Sequence, residues 1–144
     1  MDESIAVGLA NRIYEKRKVA AYDLEKLIRE AALAQDQEAI RAVIFQLCHE
    51  FIGTSQKAAR SISGGLIGLA ATSIALGKDL AVYLEFIIPS VLSCFANPDA
   101  RIRYYSTESL YNIAKVAKGE ILLYFNEIFD ALCRVMFKID QISC

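Results

Sequence analysis

Residues 97–118 read NPDARIRYYSTESLYNIAKVAK, a helix start signal followed by an amphipathic pattern. Asn97 can cap a helix with its side-chain oxygen, and Pro98 suits the first helical position, whose N–H has no partner within the helix. Small or apolar residues then recur on one helix face: Ile102, Ser106, Leu110, Ile113, Ala114 and Ala117. Gly119 is expected to end the helix in a left-handed conformation. The stretch therefore predicts the turn and second helix of a two-helix repeat.

An apolar stripe of six positions recurs three times along the chain, with the spacing i, i+3, i+4, i+7, i+8 and i+11 of one helix face. The three copies are Ile40, Val43, Ile44, Leu47, Cys48 and Phe51; Leu84, Ile87, Ile88, Val91, Leu92 and Phe95; and Phe125, Ile128, Phe129, Leu132, Cys133 and Met136. They start 44 and then 41 residues apart. Repeats of this length are typical of HEAT or armadillo proteins, so the sequence predicts an all-α solenoid of about three and a half repeats.

The repeat length also predicts the domain organisation. We expect one solenoid over residues 1–137, followed by a tail over 138–144. Its approximate repeats are 1–35, 36–78, 79–119 and a partial unit, 120–137. Pro89 lies inside the fifth helix and should bend it, because its ring displaces a backbone hydrogen bond.

Composition narrows the class of protein. The 144 residues carry a formal net charge of −1, which gives no nucleic-acid-binding signature. The four cysteines have no C-x-x-C pair, so neither a zinc site nor a disulfide framework is predicted. Cys48, Cys94 and Cys133 lie on apolar faces, whereas Cys144 is expected to be exposed. With no basic region for a signal peptide at the start, we expect a cytoplasmic chain.

Catalytic and cofactor motifs are missing from the sequence. His49 is the single histidine and lies off its apolar stripe, so we interpret it as a surface residue. Gly64 and Gly68 form G-x-x-x-G, but the uncharged run 61–77 is short and rich in small residues for a membrane span. We expect these glycines to let helices approach closely. No enzyme, cofactor or metal site is predicted.

Two basic clusters fall at the start of the second helix in their repeats, and stacking would place them on one edge. The clusters are Lys16, Arg17 and Lys18, and Arg101 and Arg103, with Tyr104 and Tyr105 beside the second. One interpretation is a solvated edge with local ion pairs. Asp99, Arg101 and Arg103 are interpreted as turn and edge residues that tie consecutive repeats together through charge-assisted contacts. The other is a binding strip for an acidic partner or for anionic lipid head groups.

The last stripe has no second helix behind it to pack against. Part of an end face is therefore expected to be exposed: Phe125, Ile128, Phe129, Leu132 and Met136. Exposed apolar patches of this kind mark interfaces or aggregation hazards. We expect the isolated chain to self-associate through this end.

Several segments resemble the N-terminal HEAT repeats of the Vac14 (ArPIKfyve) family, over about residues 5–136. They are residues 13–21 (IYEKRKVAA), 64–71 (GGLIGLAA), 73–79 (SIALGKD), 103–105 (RYY) and 110–113 (LYNI). The resemblance implies a non-enzymatic scaffold on endosomal and vacuolar membranes that controls phosphatidylinositol 3,5-bisphosphate. Its implied partners are a PIKfyve-type lipid kinase and, through the full-length scaffold only, a Sac-family phosphatase. The alternative is a peripheral membrane module that binds phosphoinositide head groups through the basic edge.

Overall fold

The computed structural model describes residues 1–53 and 57–143, with the backbone alone for residues 139–143. Within those ranges the regular secondary structure is entirely helical. The α-helices are α1 (Glu3–Leu9), α2 (Tyr14–Leu33), α3 (Gln37–Phe45), α4 (Ala59–Leu76), α5 (Leu84–Leu92), α6 (Ala100–Ala117) and α7 (Phe125–Ser143). A π-helical segment, Gln46–Ile52, extends α3, and 3₁₀ segments, Gly77–Tyr83 and Lys118–Tyr124, lead into α5 and α7.

The helices pack in two layers. Helices α2, α4 and α6 lie side by side in one layer, with α4 in contact with both neighbours. The other layer contains α3, α5 and α7, and each contacts the next, while α1 packs on α2. Two-helix units thus follow one another along the chain. The prediction of an all-α solenoid is confirmed.

The core lies between the two layers and is built from the recurring stripe. All six residues of the first copy and five of the second are buried, and Leu92 is partly buried. Burial of one such aliphatic side chain contributes about 1.5–3 kcal/mol, so these stripes supply much of the driving force for folding. In the third copy four of the six residues stay exposed.

Helix α6 begins two residues later than the sequence predicts. Asp99 is its N-cap: Oδ1 accepts a hydrogen bond from the backbone N–H of Arg101 at 2.9 Å. The Asn97 side chain instead accepts from the N–H of Asp99, also at 2.9 Å. Asn97 therefore shapes the turn before the cap, and its assignment as the helix cap, with Pro98 in the first turn, was wrong.

The end of α6 also differs from the prediction. Lys118, not Gly119, has the positive φ, with φ 52° and ψ −127°. Gly77 at the end of α4 has almost the same backbone, φ 54° and ψ −122°, and lies 41 residues earlier, one repeat away. The turn geometry is thus repeated, while the glycine that suits it is replaced by lysine in the later copy.

The glycines of α4 serve close helix packing, as expected. A Cβ on Gly64 would collide with the backbone carbonyl of Leu9, and one on Gly68 would lie 2.6 Å from a methyl group of Leu47. The stretch Ala59–Leu92 is long and apolar enough to cross a membrane by length and composition. Because 56% of its most apolar window is buried inside the structure, these residues have the packing of core helices.

The C-terminal helix is longer than predicted. Helix α7 continues to Ser143, whereas the sequence suggested a tail from residue 138. Cys144, expected to be exposed, lies outside the described residues.

Candidate functional site

Arg17 is buried at the start of α2, with 9% of its surface exposed. Its Nη1 donates hydrogen bonds to the backbone carbonyls of Asn11 at 2.8 Å and Arg12 at 3.1 Å. Its guanidinium carbon lies 5.7 Å from the centre of the Tyr14 ring and 5.8 Å from that of Tyr105, within cation–π range. Arg17 thus holds the turn before α2 in place. This burial does not fit the interpretation of the first cluster as a solvated edge, and a part for Arg17 in a binding strip stays a prediction.

Arg103 holds the equivalent turn two repeats later. Its Nη1 donates to the backbone carbonyls of Asn97 at 2.8 Å and Pro98 at 2.9 Å. Both acceptors and the arginine lie 86 residues after their counterparts around Arg17. The two arginines therefore share one structural role, which explains their recurrence.

Asp99 and Arg101 form an ion pair at the start of α6. Arg101 Nη2 lies 3.0 Å from Asp99 Oδ2, and its Nε donates to Oδ1 at 3.3 Å. Hydrogen bonds from Arg101 lower the pKa of the Asp99 carboxyl, and the same contact raises the pKa of the arginine. The Arg101 side chain is 77% exposed, so solvent screens the pair strongly. The pair is local to the first turn of α6, and Arg103 donates to the carbonyl groups of the same turn, so the prediction that these residues tie consecutive repeats together was wrong.

An arginine-lined pocket of about 720 Å³ lies where the first turns of α2, α4 and α6 meet. It is lined by Arg12, Arg17, Arg60 and Arg101, together with Ala58, Ala59, Ser63, Ala100, Tyr104 and Tyr105. No carboxylate is among these lining residues within the described part of the chain. Four arginines around one concavity, of which only Arg101 has a carboxylate partner among the described ion pairs, give it a positive potential that attracts anions.

The structure brings together only part of the predicted basic edge. Arg17, Arg101, Tyr104 and Tyr105 share the arginine-lined pocket. Lys18 is exposed and lines a neighbouring groove that also contains Tyr105. Lys16 is exposed but lines neither concavity, and Arg103 is engaged with its turn.

Sequence reasoning missed Arg12 and Arg60 as pocket residues. A signal was present, because Arg17, Arg60 and Arg103 are spaced by 43 residues each time. This spacing is one repeat and indicates equivalent positions on stacked helices. Arg12 has no such signal, since it lies in the turn between α1 and α2.

The predicted end face is exposed at four of its five positions. The exposed fractions are 57% for Phe125, 54% for Phe129, 45% for Leu132 and 66% for Met136, whereas Ile128 is partly buried. The rings of the two phenylalanines stack with their centres 5.8 Å apart. The face is therefore a continuous apolar surface on α7.

The groups with acid–base or metal chemistry do not converge in the described ranges. Across residues 1–53 and 57–138, whose side chains the structure describes, no three His, Cys, Asp or Glu side chains stand close enough to hold a metal ion. His49 is exposed and lies against Phe45, with ring centres 4.3 Å apart. Burial raises the pKa of the Cys48 and Cys94 thiols, which disfavours their reactive thiolate forms.

Residues 60–142, which span α4 to α7, match the family model described as the Vacuolar 14 Fab1-binding region. The chain belongs to the Vac14 family. It is 52% identical over 137 residues to vacuole morphology and inheritance protein 14 of Saccharomyces cerevisiae. It is 47% identical over 135 residues to the VAC14 homolog of Schizosaccharomyces pombe and 46% over 128 residues to that of Arabidopsis thaliana.

These alignments cover 89–94% of this chain but only 15–17% of each Vac14 relative. The chain therefore spans about a sixth of the length of the curated relatives that it matches. No solved structure matches it in the corresponding comparison.

Proposed function

We propose that this chain is a non-catalytic scaffold segment that binds a lipid kinase of the Fab1/PIKfyve type. The supporting observation is the family match over residues 60–142, whose description names Fab1 binding. The matched residues form the stacked helices α4 to α7. Such stacks offer extended surfaces for protein partners.

The kinase contact is proposed on the edge formed by Arg101, Tyr104 and Tyr105. These residues lie inside the matched range, whereas Lys16, Arg17 and Lys18 lie before it. Tyr104 is 64% exposed, and its ring packs edge-on against Tyr105 with centres 5.6 Å apart. Exposed tyrosine and arginine side chains are enriched among residues that dominate binding energy at interfaces.

A pull-down of the Fab1-type kinase by the 144-residue chain tests this proposal. The Arg101→Glu, Tyr104→Ala variant is expected to lose most kinase retention, with helicity unchanged by circular dichroism. Lys115→Glu is the matched control, because it reverses an exposed charge on the same helix about 21 Å away along its axis. Arg103 is left unchanged, since its substitution would disturb the turn.

Three outcomes separate the possibilities. Retention by the control but not by the edge variant supports the proposed contact. Equal retention by both moves the contact off this edge, and the Phe129→Glu variant then tests the exposed face of α7. Absence of retention by the folded parent chain contradicts kinase binding by these residues alone.

The wider role is a scaffold for phosphatidylinositol 3,5-bisphosphate synthesis, peripheral on vacuolar and endosomal membranes. The name of the budding-yeast relative, which refers to vacuole morphology and inheritance, supports the location. Contact with a Sac-family phosphatase is proposed for the full-length scaffold only, since the matched description names Fab1 alone. Head-group binding by the basic edge remains the alternative, and flotation with anionic liposomes in low and high salt tests it.

A further inference from the structure

The arginine-lined pocket has the chemistry of a phosphate site. We propose that it binds a phosphate-bearing ligand between the first turns of α2, α4 and α6, with Arg12 and Arg60 as the outer ligands. This inference does not depend on kinase binding. The pocket shares Arg101, Tyr104 and Tyr105 with the proposed kinase edge and adds Arg12 and Arg60, so phosphate binding is tested on the two added arginines and without the kinase.

The charge of the pocket is the first argument. Four arginines line one concavity of about 720 Å³, and of these Arg101 is already paired with the Asp99 carboxylate, which leaves Arg12, Arg17 and Arg60 as the cations for a ligand. Guanidinium groups bind phosphate oxygens through paired, charge-assisted hydrogen bonds, for which lysine is a poorer substitute. The volume lies within the range of small-molecule sites, so the pocket can hold more than a single phosphate.

The floor of the pocket supplies the second argument. Arg17 is nine-tenths buried there, and its Nε has no hydrogen-bond partner among the described residues. This Nε is closed to solvent, so an anion in the pocket would stabilise the charge of the Arg17 guanidinium electrostatically rather than through a hydrogen bond to Nε. Because Nη1 and Nη2 already donate to Asn11, Arg12 and Tyr105, the orientation of this guanidinium is fixed before any ligand arrives.

The start of α4 adds a third, weaker contribution. Ala58 is the N-cap of this helix and has no side-chain oxygen to accept from the first N–H groups. Ala58 and Ala59 both line the pocket. An anion here would meet the positive end of the helix dipole. The hydroxyl of Ser63 is a further available donor in the same lining.

Calorimetric titration of the 144-residue chain with inorganic pyrophosphate, and with inositol hexakisphosphate, tests the soluble source of this ligand. Sedimentation with phosphatidylcholine vesicles, with and without a phosphorylated phosphatidylinositol, tests the membrane source. The Arg12→Gln, Arg60→Gln variant is expected to weaken binding by about tenfold or more, because each substitution removes a charge-assisted contact. Lys16→Gln, Lys18→Gln is the control: it removes the same charge from exposed positions that do not line the pocket.

Each result decides the proposal. Loss of binding in the arginine variant but not in the lysine control supports the pocket, and the arm that binds identifies a soluble ligand or a lipid head group. Equal weakening in both variants would show attraction to a basic surface and overturn the site. Absence of binding in both arms also overturns it. If the double variant has lost helicity, the single variant Arg12→Gln replaces it, because Arg12 lies in a turn outside the helices. Weaker binding by this variant than by the parent then supports the pocket, and unchanged binding overturns it.

Discussion

Arg17 in α2 donates a 3.1 Å hydrogen bond through Nη2 to the hydroxyl of Tyr105 in α6, 88 residues later in the chain. Helix α4 packs against both of these helices. The bond therefore connects the first repeat to the third across the helix that separates them. In a stack where each repeat mainly contacts its neighbours, such a contact couples units that would otherwise be independent.

Replacing Tyr105 by phenylalanine should lower the free energy of unfolding by about 1 kcal/mol, since it leaves the Arg17 N–H without this acceptor. Urea denaturation followed by circular dichroism measures the change. Tyr104→Phe is the control, because Tyr104 is exposed on the same helix turn and should change stability by less than about 0.5 kcal/mol. Equal effects of both substitutions would contradict the role of the hydrogen bond.

Replacing Lys118 by glycine should stabilise the protein by about 1 kcal/mol. The positive φ of Lys118 is strained for a residue with a Cβ, and glycine would remove that strain. The strain removed exceeds the larger entropy that glycine loses on folding. Thermal unfolding is expected to shift upward by a few degrees. Lys115→Gly, inside the same helix, should instead destabilise by about 1 kcal/mol. A lower melting temperature for Lys118→Gly would refute the strain argument.

Replacing Gly64 by alanine should destabilise the fold by about 1–3 kcal/mol or more, because the added methyl group meets the backbone of Leu9 and α1 must move. Gly119→Ala is the matched control, since a Cβ there has no neighbour within 4 Å. Chemical denaturation of both variants tests the prediction. A neutral Gly64→Ala would mean that α1 moves at little cost.

Replacing Asp99 by asparagine should change the acid dependence of stability while retaining a helix cap. The folded-state pKa of Asp99 is lowered, so its ion pair contributes above the unfolded pKa of about 4 and is lost as pH falls through the folded pKa. The stability difference between parent and variant should therefore be constant near neutral pH and shrink at acid pH. Denaturation from pH 7 to pH 3 measures it, and a pH-independent difference would exclude the charge as its cause.

The isolated chain should self-associate through the exposed face of α7. The apolar surface of Phe125, Phe129, Leu132 and Met136 favours burial against a second copy. Sedimentation velocity is expected to show a concentration-dependent increase in mass, which Phe129→Glu should abolish. Phe45→Glu replaces an equally exposed phenylalanine on α3 and should leave the association unchanged. A monomer at every concentration would contradict the prediction.

The solenoid could be predicted from the sequence because its stripes keep the same internal spacing and recur every 41 to 44 residues, as expected where equivalent positions are buried in each repeat. The errors in the predicted ends of α6 occur where two neighbouring residues are both suited to the same position. Asn97 and Asp99 are both good caps, and the choice depends on the turn before α6. Lys118 and Gly119 are adjacent, and the spacing of the repeat, rather than glycine preference, selects the residue with positive φ.

The basic edge was harder to predict because charge alone does not show whether a side chain faces solvent. Arg17 has the same side-chain chemistry as Arg101, yet one is buried against carbonyl groups and the other is 77% exposed. The pocket needed three-dimensional information as well. Its lining joins Arg12, Arg60 and Arg101 from three separate parts of the chain.

Helix α7 packs on α5 and on the 3₁₀ segment before it, and leaves its opposite face to solvent. With that face unpacked in the 144-residue chain, α7 has one stabilising interface where a helix packed on both sides has two, so it is expected to open at a lower free energy. Any molecule that binds this face would reduce the local unfolding of α7 and stabilise the helices packed behind it. Binding of a partner to the exposed face of α7 would then slow hydrogen exchange at the backbone amides of the helices behind it. Recognition at one end of the stack is thereby linked to rigidity at the other.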